Sequence, residues 1–161
     1  MLQVGRGMSY DEDKSHFTMW CAMNSPLLLG NDLRTISKET LNLVTNKELI
    51  AINQDQFGYQ ARRLKKMGDV EVWAKPLISA VSGQIAVVLL NRSNTTATID
   101  LDIEQLGLSI KKGYVMRDLW AHKDYPLTNV KSKDFKIPAH GVVALKIVGK
   151  STPFNLFQTD K

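Results

Sequence analysis

The sequence predicts two differently built parts in one chain: an α/β segment over residues 1–62 and an all-β antiparallel sandwich over residues 69–150. A linker at 63–68 joins them and a tail at 151–161 follows. Three observations carry this reading. The first part alternates short apolar runs with capped amphipathic stretches, which is βα repetition. The second alternates apolar and polar residues over short runs divided by turn residues, the pattern of half-buried antiparallel strands. The charge balance changes at the same place, with 5 Lys and Arg against 7 Asp and Glu in residues 1–60 and 16 against 9 in residues 61–161.

Taken in order, Leu2-Gln3-Val4 reads as a buried strand closed by the glycine turn Gly5-Arg6-Gly7. Ser9 is an N-cap, and Glu12 three residues on completes a capping box, with Asp11 and Asp13 adding negative charge at the positive end of the helix dipole. That helix runs through His16, Phe17, Trp20, Cys21 and Met23, presents Phe17, Trp20 and Met23 to the core, and stops before Pro26. Leu27-Leu28-Leu29 is a second apolar strand, left through Gly30-Asn31-Asp32-Leu33-Arg34. Ser37 caps a helix holding Leu41, Leu43 and Val44, and Asn46 caps a short one through Leu49, Ile50 and Ile52. Such apolar strands require a parallel sheet covered on both faces, in a doubly wound sheet or a (β/α) barrel, and two strands close neither. Arg62, Arg63, Lys65 and Lys66 read as a solvated linker. Alternating runs at 70–75, 85–90, 96–101, 114–120, 135–137 and 142–148 then predict six or seven short strands, with turns at Ser82-Gly83 and Arg92-Ser93-Asn94.

A hydrophobic content of 43% and a charged content of 23% exclude a disordered or low-complexity chain. The net charge of +5 and pI near 9.3 raise a nucleic-acid partner, but the one dense basic cluster leads into Met67 and Gly68 instead of stacking aromatics, so none is expected. A single cysteine, Cys21, excludes an internal disulfide and a cysteine-built zinc site, and reads as a small buried hydrophobe. His16, His122 and His140 lack metal-ligand spacing, and no nucleotide motif is present, so no cofactor is expected. Residues 1–7 lack the charged and apolar regions of a signal peptide, and no apolar run approaches the ~20 residues of a membrane span, so no membrane partner is expected.

Chemistry in βα architectures sits at the carboxyl ends of strands. Asp11, Glu12 and Asp13 are accounted for by capping. Asn31 and Asp32, immediately after a strand, are the better candidates to line a pocket. Neither a nucleophile elbow nor a phosphate-cradling loop is present, Gly5-Arg6-Gly7 being too weak a signal.

Several blocks together resemble one family. Met1-Leu2-Gln3-Val4-Gly5, Ser15-His16-Phe17-Thr18-Met19-Trp20, the run from Ser25-Pro26 through Gly30-Asn31-Asp32-Leu33-Arg34, and Ile50-Ala51-Ile52-Asn53-Gln54-Asp55 are similar to the melibiase-type α-galactosidases. Glu71-Val72-Trp73, Asn91-Arg92-Ser93 and Arg117-Asp118-Leu119-Trp120 resemble the same family's C-terminal β domain. The resemblance implies a retaining glycosidase in which a (β/α) barrel carries the active site and an antiparallel sandwich packs against it. Residues 1–62 would be the last two βα units of that barrel. The family's nucleophile and acid/base aspartates lie on earlier strands and have no counterpart here. Of its galactose pocket only the methionine of an Asp-Met pair carries over, onto Met1. Gln56-Phe57 departs from the family's usual Pro-Leu, which bears on local turn geometry.

The resemblance further implies an α-galactoside substrate only in the context of a complete barrel, no cofactor, and a secreted, periplasmic or lysosomal location. The polypeptide alone is expected to be inactive, and its exposed 27–29 strand to seek a partner, with self-association into a homo-oligomer left open. The alternative is a non-catalytic packing or carbohydrate-binding module, which would need Trp73, Trp120, Tyr114 and Tyr125 on one exposed face. Asn91-Arg92-Ser93 and Asn94-Thr95-Thr96 are glycosylation sequons of low specificity.

Overall fold

The computed structural model describes residues 1–78 and 82–152; the tail segment with Pro153 and Phe154-Asn155-Leu156-Phe157 lies outside the described residues. The α/β part begins at an isolated parallel bridge between Leu2 and Leu29, with the Leu2 amide donating to the Leu28 carbonyl at 2.8 Å. The two expected strands are therefore parallel neighbours but only one bridge long.

Helix α1 spans Tyr10–Ala22 and opens on the expected capping box: the Glu12 amide donates to Ser9 Oγ at 3.3 Å and the Ser9 amide to Glu12 Oε2 at 2.7 Å. This holds the Glu12 carboxyl below its ordinary range and satisfies two backbone amides that the helix itself leaves unpaired. α2 (Lys38–Val44) and α3 (Lys47–Asn53) start on Ser37 and Asn46 as expected. The expected Phe17, Trp20 and Met23 stripe is only partly buried. Phe17, Thr18, Cys21 and Ala22 are the fully buried side chains on that side of α1, because the helix is wedged between the strand remnant and a sheet and must bury two flanks instead of one.

The β part has eight strands: β1 (Arg62–Met67), β2 (Val70–Pro76), β3 (Gln84–Asn91), β4 (Ala97–Asp102), β5 (Leu108–Asp118), β6 (Lys123–Thr128), β7 (Ser132–Ile137) and β8 (Val142–Ser151). They form a six-stranded sheet in the order β1-β2-β3-β8-β5-β6 and a two-stranded sheet of β4 and β7. All pairs are antiparallel. The predicted class, a barrel remnant followed by an antiparallel sandwich, is the one observed. Between the sheets lies the main core, with Val72, Val87, Leu89, Ile99, Leu101, Phe135, Leu145 and Ile147 among its members.

The linker expected at 63–68 is instead an edge strand. β1 pairs with β2 through a turn at Gly68, whose φ of +58° suits glycine. Its register breaks between Arg63 and Lys65, and only Leu64 packs on the core, so the alternation that marks a strand is missing. Lysine and arginine with a bulge are what a sheet edge uses to resist pairing with other chains. The cluster also has a partner: Arg63 Nη1 lies 3.1 Å and Arg92 Nη1 3.7 Å from the buried carboxylate of Glu71. Burial pushes that carboxyl up, but the Trp73 Nε1–H at 2.9 Å and the two guanidiniums outweigh it and hold the group below its ordinary range. β6 was not expected, its Pro126 and exposed Leu127 hiding the period, and β5 begins six residues before the expected start at Tyr114.

The outer face of the six-stranded sheet is covered too. Leu2, Val4, Phe17, Leu43, Leu49 and Ile52 of the α/β part share one apolar cluster with Leu77, Ala86, Leu119 and Ala144 of the sheet. That double coverage explains why β2 is buried on nearly every residue. Polar bonds fasten the same seam: Ser15 Oγ donates to the His140 carbonyl at 2.7 Å, Trp120 Nε1 to Thr18 Oγ1 at 3.0 Å, and Asn46 Nδ2 to the Leu119 carbonyl at 2.9 Å.

An ion cluster clasps the seam at its rim. Glu48 accepts from Arg117 Nε at 2.6 Å and Nη2 at 3.0 Å and contacts His122 Nδ1 at 2.5 Å. The Arg117 bonds, chiefly, hold Glu48 below its ordinary carboxylate range. A carboxyl depressed in the folded state contributes stability above the unfolded-state pKa of about 4.3 and loses it as pH falls through the folded value. Relative to the parent chain, Glu48→Gln should therefore cost about 1 kcal/mol at pH 7 and nothing once the pH falls below both values, in paired urea melts at low salt. An equal deficit at both pH values would contradict the clasp.

Candidate functional site

The ends of the two bridged segments meet at a recess of about 380 Å³ lined by Gly5, Arg6, Gly30, Asn31, Asp32 and neighbouring residues. Backbone geometry builds it. Gly5 sits at φ +71°, and a Cβ there would lie 2.7 Å from Thr40 Oγ1 and Cγ2, so only glycine lets the first segment turn under α2. Asp13 Oδ2 accepts the Gly5 amide at 2.9 Å, which gives Asp13 a role beyond the expected first-turn charge: it pins the turn to α1. Burial, the larger influence, pushes the Asp13 carboxyl up while the Gly5 amide pulls it down.

Of the expected pocket residues, Asn31 and Asp32 line the recess and Met1 flanks it. Asn31 Nδ2 donates to the Val4 carbonyl at 2.9 Å and so ties the end of the first segment to the loop after the second. Asp32 takes the Arg34 amide at 3.0 Å and the Arg34 guanidinium at 2.9 and 2.7 Å. Arg34 holds Asp32 below its ordinary range, so this carboxylate is a local anchor and stays ionised where a general acid would need its proton. Met1 is 63% exposed, and its Sδ and Cε stand 3.2 and 3.1 Å from where a Gly30 Cβ would be. Arg6 Nη1 is nearer still, at 2.8 Å from that point. Arg6 is the residue missed in the sequence, where Gly5-Arg6-Gly7 carried only a weak phosphate-loop signal. Its place over Gly30 depends on a contact between segments about 25 residues apart, which no local motif encodes.

Asn31 Oδ1 and Asp13 Oδ1 are buried without a hydrogen-bond partner among the described residues. Unsatisfied buried acceptors are uncommon in folded proteins and mark places where a donor belongs. The recess can thus hold polar groups in place, but the carboxylate among its lining residues, Asp32, is committed to Arg34. No acid and base stand ready there.

The four aromatics of the alternative reading do not share an exposed face. Tyr114 is buried between the sheets with its hydroxyl donating to the Val130 carbonyl at 2.8 Å. Trp120 packs edge-on to Phe17 with ring centroids 6.4 Å apart, and Trp73 lies on the helix-covered face beside Ala22 and Val88. Tyr125 packs on the inter-sheet core. The three histidines serve three separate contacts: His16 stacks on Trp20 at 4.5 Å, His122 meets Glu48, and His140 meets Asn94 at 2.7 Å. Cys21 is buried as expected, and burial pushes its thiol up to about 12. The first sequon's asparagine is fully buried, its amide donating to the carbonyls of Thr95, Ile137 and Pro138 at 2.8, 3.2 and 2.9 Å, whereas Asn94 is exposed.

A parallel βα segment packed across the outer face of an antiparallel sandwich is the arrangement expected where a (β/α) barrel meets a C-terminal sandwich domain, and comparison with known proteins finds the same arrangement. The solved α-galactosidase I of Mortierella vinacea superposes with a TM-score of 0.86 at 32% identity, covering 94% of this chain and 39% of that one. Residues 1–55 match the family model described as alpha galactosidase A, and residues 67–147 match that of the alpha galactosidase C-terminal beta sandwich domain. The chain belongs to the melibiase-type α-galactosidase family. Alpha-galactosidase 2 of Arabidopsis thaliana is 44% identical over 126 residues, 78% of this chain and 31% of that protein. The alpha-galactosidase of Coffea arabica is 45% identical over 124 residues, 76% of this chain and 32% of that protein. The chain thus spans about a third of the length of these curated relatives.

Proposed function

We propose that this chain serves as the closing part of an α-galactosidase, supplying the last two βα units of the barrel and the sandwich that braces them, in an enzyme that releases terminal α-linked galactose with retention. The observation that carries the reading is the match of residues 1–55 and 67–147 to the family's two models, in the family's order, on a fold that superposes on a solved member. A retaining mechanism needs two carboxyl groups about 5–5.5 Å apart, one as nucleophile and one as acid/base. The acidic group that lines the recess, Asp32, is paired with Arg34. Residues 1–161 therefore position substrate, through Met1 and the recess of Asn31 and Arg6, without performing the chemistry. Substrate is engaged only when the rest of a barrel stands beside the Leu2–Leu29 bridge. A secreted, periplasmic or lysosomal compartment is the expected setting.

The test is turnover of a chromogenic α-galactoside. Residues 1–161 alone are expected to give a rate indistinguishable from the blank. The same residues following the six preceding βα units of a family member are expected to restore hydrolysis. Activity in the 161-residue polypeptide, or none in the completed barrel when it is folded, would overturn the proposal.

A further inference from the structure

The two-stranded sheet is too narrow to cover the six-stranded one. β4 and β7 pack over β2, β3 and β8, which leaves the β5–β6 end of the sandwich open. A second recess of about 180 Å³ lies there, with Tyr114, Met116, Tyr125, Val130, Ser132 and Lys133 among its lining residues. Its floor is apolar, since Tyr114 and Met116 are buried members of the main core and Tyr125 stands opposite Met116 in the β5–β6 ladder. The Tyr114 hydroxyl is already used by the Val130 carbonyl.

The rim is different. Lys133 Nζ lies 4.8 Å from the Tyr125 ring centroid and 5.8 Å from that of Phe135, and among the described residues Lys133 takes part in none of the ion pairs. Cation–π contacts of this kind hold an ammonium in place without neutralising it. The second part of the chain carries the excess of positive charge, and here that excess stands at the mouth of an apolar recess.

We propose that this recess binds a small amphiphilic anion, a compact apolar body of about six or seven heavy atoms against Tyr114 and Met116 with one carboxylate paired to Lys133. The size follows from the volume, about six times the ~30 Å³ share of a liquid water. A sugar ring is a poor fit, because apolar walls would leave most of its hydroxyls unpaired at ~1–3 kcal/mol each. The site is separate from the recess at the barrel remnant and independent of the galactosidase reading.

The chain labelled with ¹³C at the methionine methyls tests this, since Met116 lines the recess while Met1 and Met67 are exposed elsewhere. Titration with octanoate is expected to move the Met116 methyl saturably and leave Met1 and Met67 in place. Octanol should bind at least tenfold more weakly than octanoate, and acetate should not move Met116. Lys133→Met should lower octanoate affinity at least tenfold and abolish the preference over octanol, its ligand-free methionine spectrum reporting that it is folded. The octanoate–octanol comparison on the parent chain needs no variant. An unmoved Met116, shifts of equal size at Met1 and Met67, or equal affinity for octanoate and octanol in the parent would overturn the proposal.

Discussion

Replacing Lys75 by alanine is expected to destabilise the chain by about 3–5 kcal/mol, against a total stability of ~5–15 kcal/mol for a domain of this kind. Lys75 is fully buried in the middle of the seam, and its ammonium donates to the Ile52 carbonyl at the end of α3 and to Asn24 Oδ1 in the turn after α1. Burial pushes its pKa down, while Asp55, the nearby carboxylate, pulls it back up. Alanine would leave both acceptors unpaired, the Ile52 carbonyl buried and Asn24 Oδ1 half-buried, at ~1–3 kcal/mol each, and would open a cavity where the aliphatic stem packed. Lys75→Met keeps most of the stem and should recover about half of the loss, which separates packing from hydrogen bonding. Urea unfolding would show it: with a slope of ~2 kcal/mol/M the midpoint of the alanine variant falls by about 2 M. A shift below about 0.5 M would mean that Lys75 does not staple the two parts.

Asn91→Asp is expected to be at least as damaging at neutral pH, although it exchanges one amide for one carboxylate of the same shape. The Asn91 amide group feeds three carbonyls, and its oxygen accepts the Ser93 amide at 3.0 Å and the Ser93 hydroxyl at 2.8 Å. It thereby holds the end of β3 to the loop before β4, to the last residue of β7 and to the loop after it. Asn91→Ala removes those bonds and should cost about 3–4 kcal/mol. Asn91→Asp turns an acceptor toward the three carbonyl oxygens, so its charged form is disfavoured in the folded state and its carboxyl is raised there. Its deficit should therefore shrink as pH falls through that raised value, while the alanine variant's deficit stays constant. Thermal melts at pH 7 and pH 5 would separate the two. Parallel pH profiles would sink the account.

How far the sequence reaches can be judged from particular residues. Ser9 with Glu12, Ser37 and Asn46 marked three helix starts, because a cap is a bond between residues two or three apart and leaves a local signature. The strands of the main core were legible wherever one face was wet, as in β4, whose Ile99 and Leu101 are buried between exposed Thr98 and Asp100. β1 and β6 were not, since a charged edge strand with a bulge and a strand carrying Pro126 lack the period that reveals a half-buried ladder. At the recess, Asn31 and Asp32 could be chosen from their place after an apolar run. Arg6 and the second role of Asp13 could not, as both depend on where a turn comes to rest against another element.

By itself the sequence determined the order of helices and strands, the change from βα repetition to antiparallel alternation, and the family to which its motif blocks belong. All of these are written in short-range pattern and in residue identity. Only the tertiary structure decided that the outer face of the six-stranded sheet is a second interior, that Lys75 and Glu71 are buried there with specific partners, and that Asp32 is committed to Arg34. The physical reason is burial: a lysine or carboxylate reads as a surface residue until the fold shows which carbonyls and guanidiniums have replaced its water.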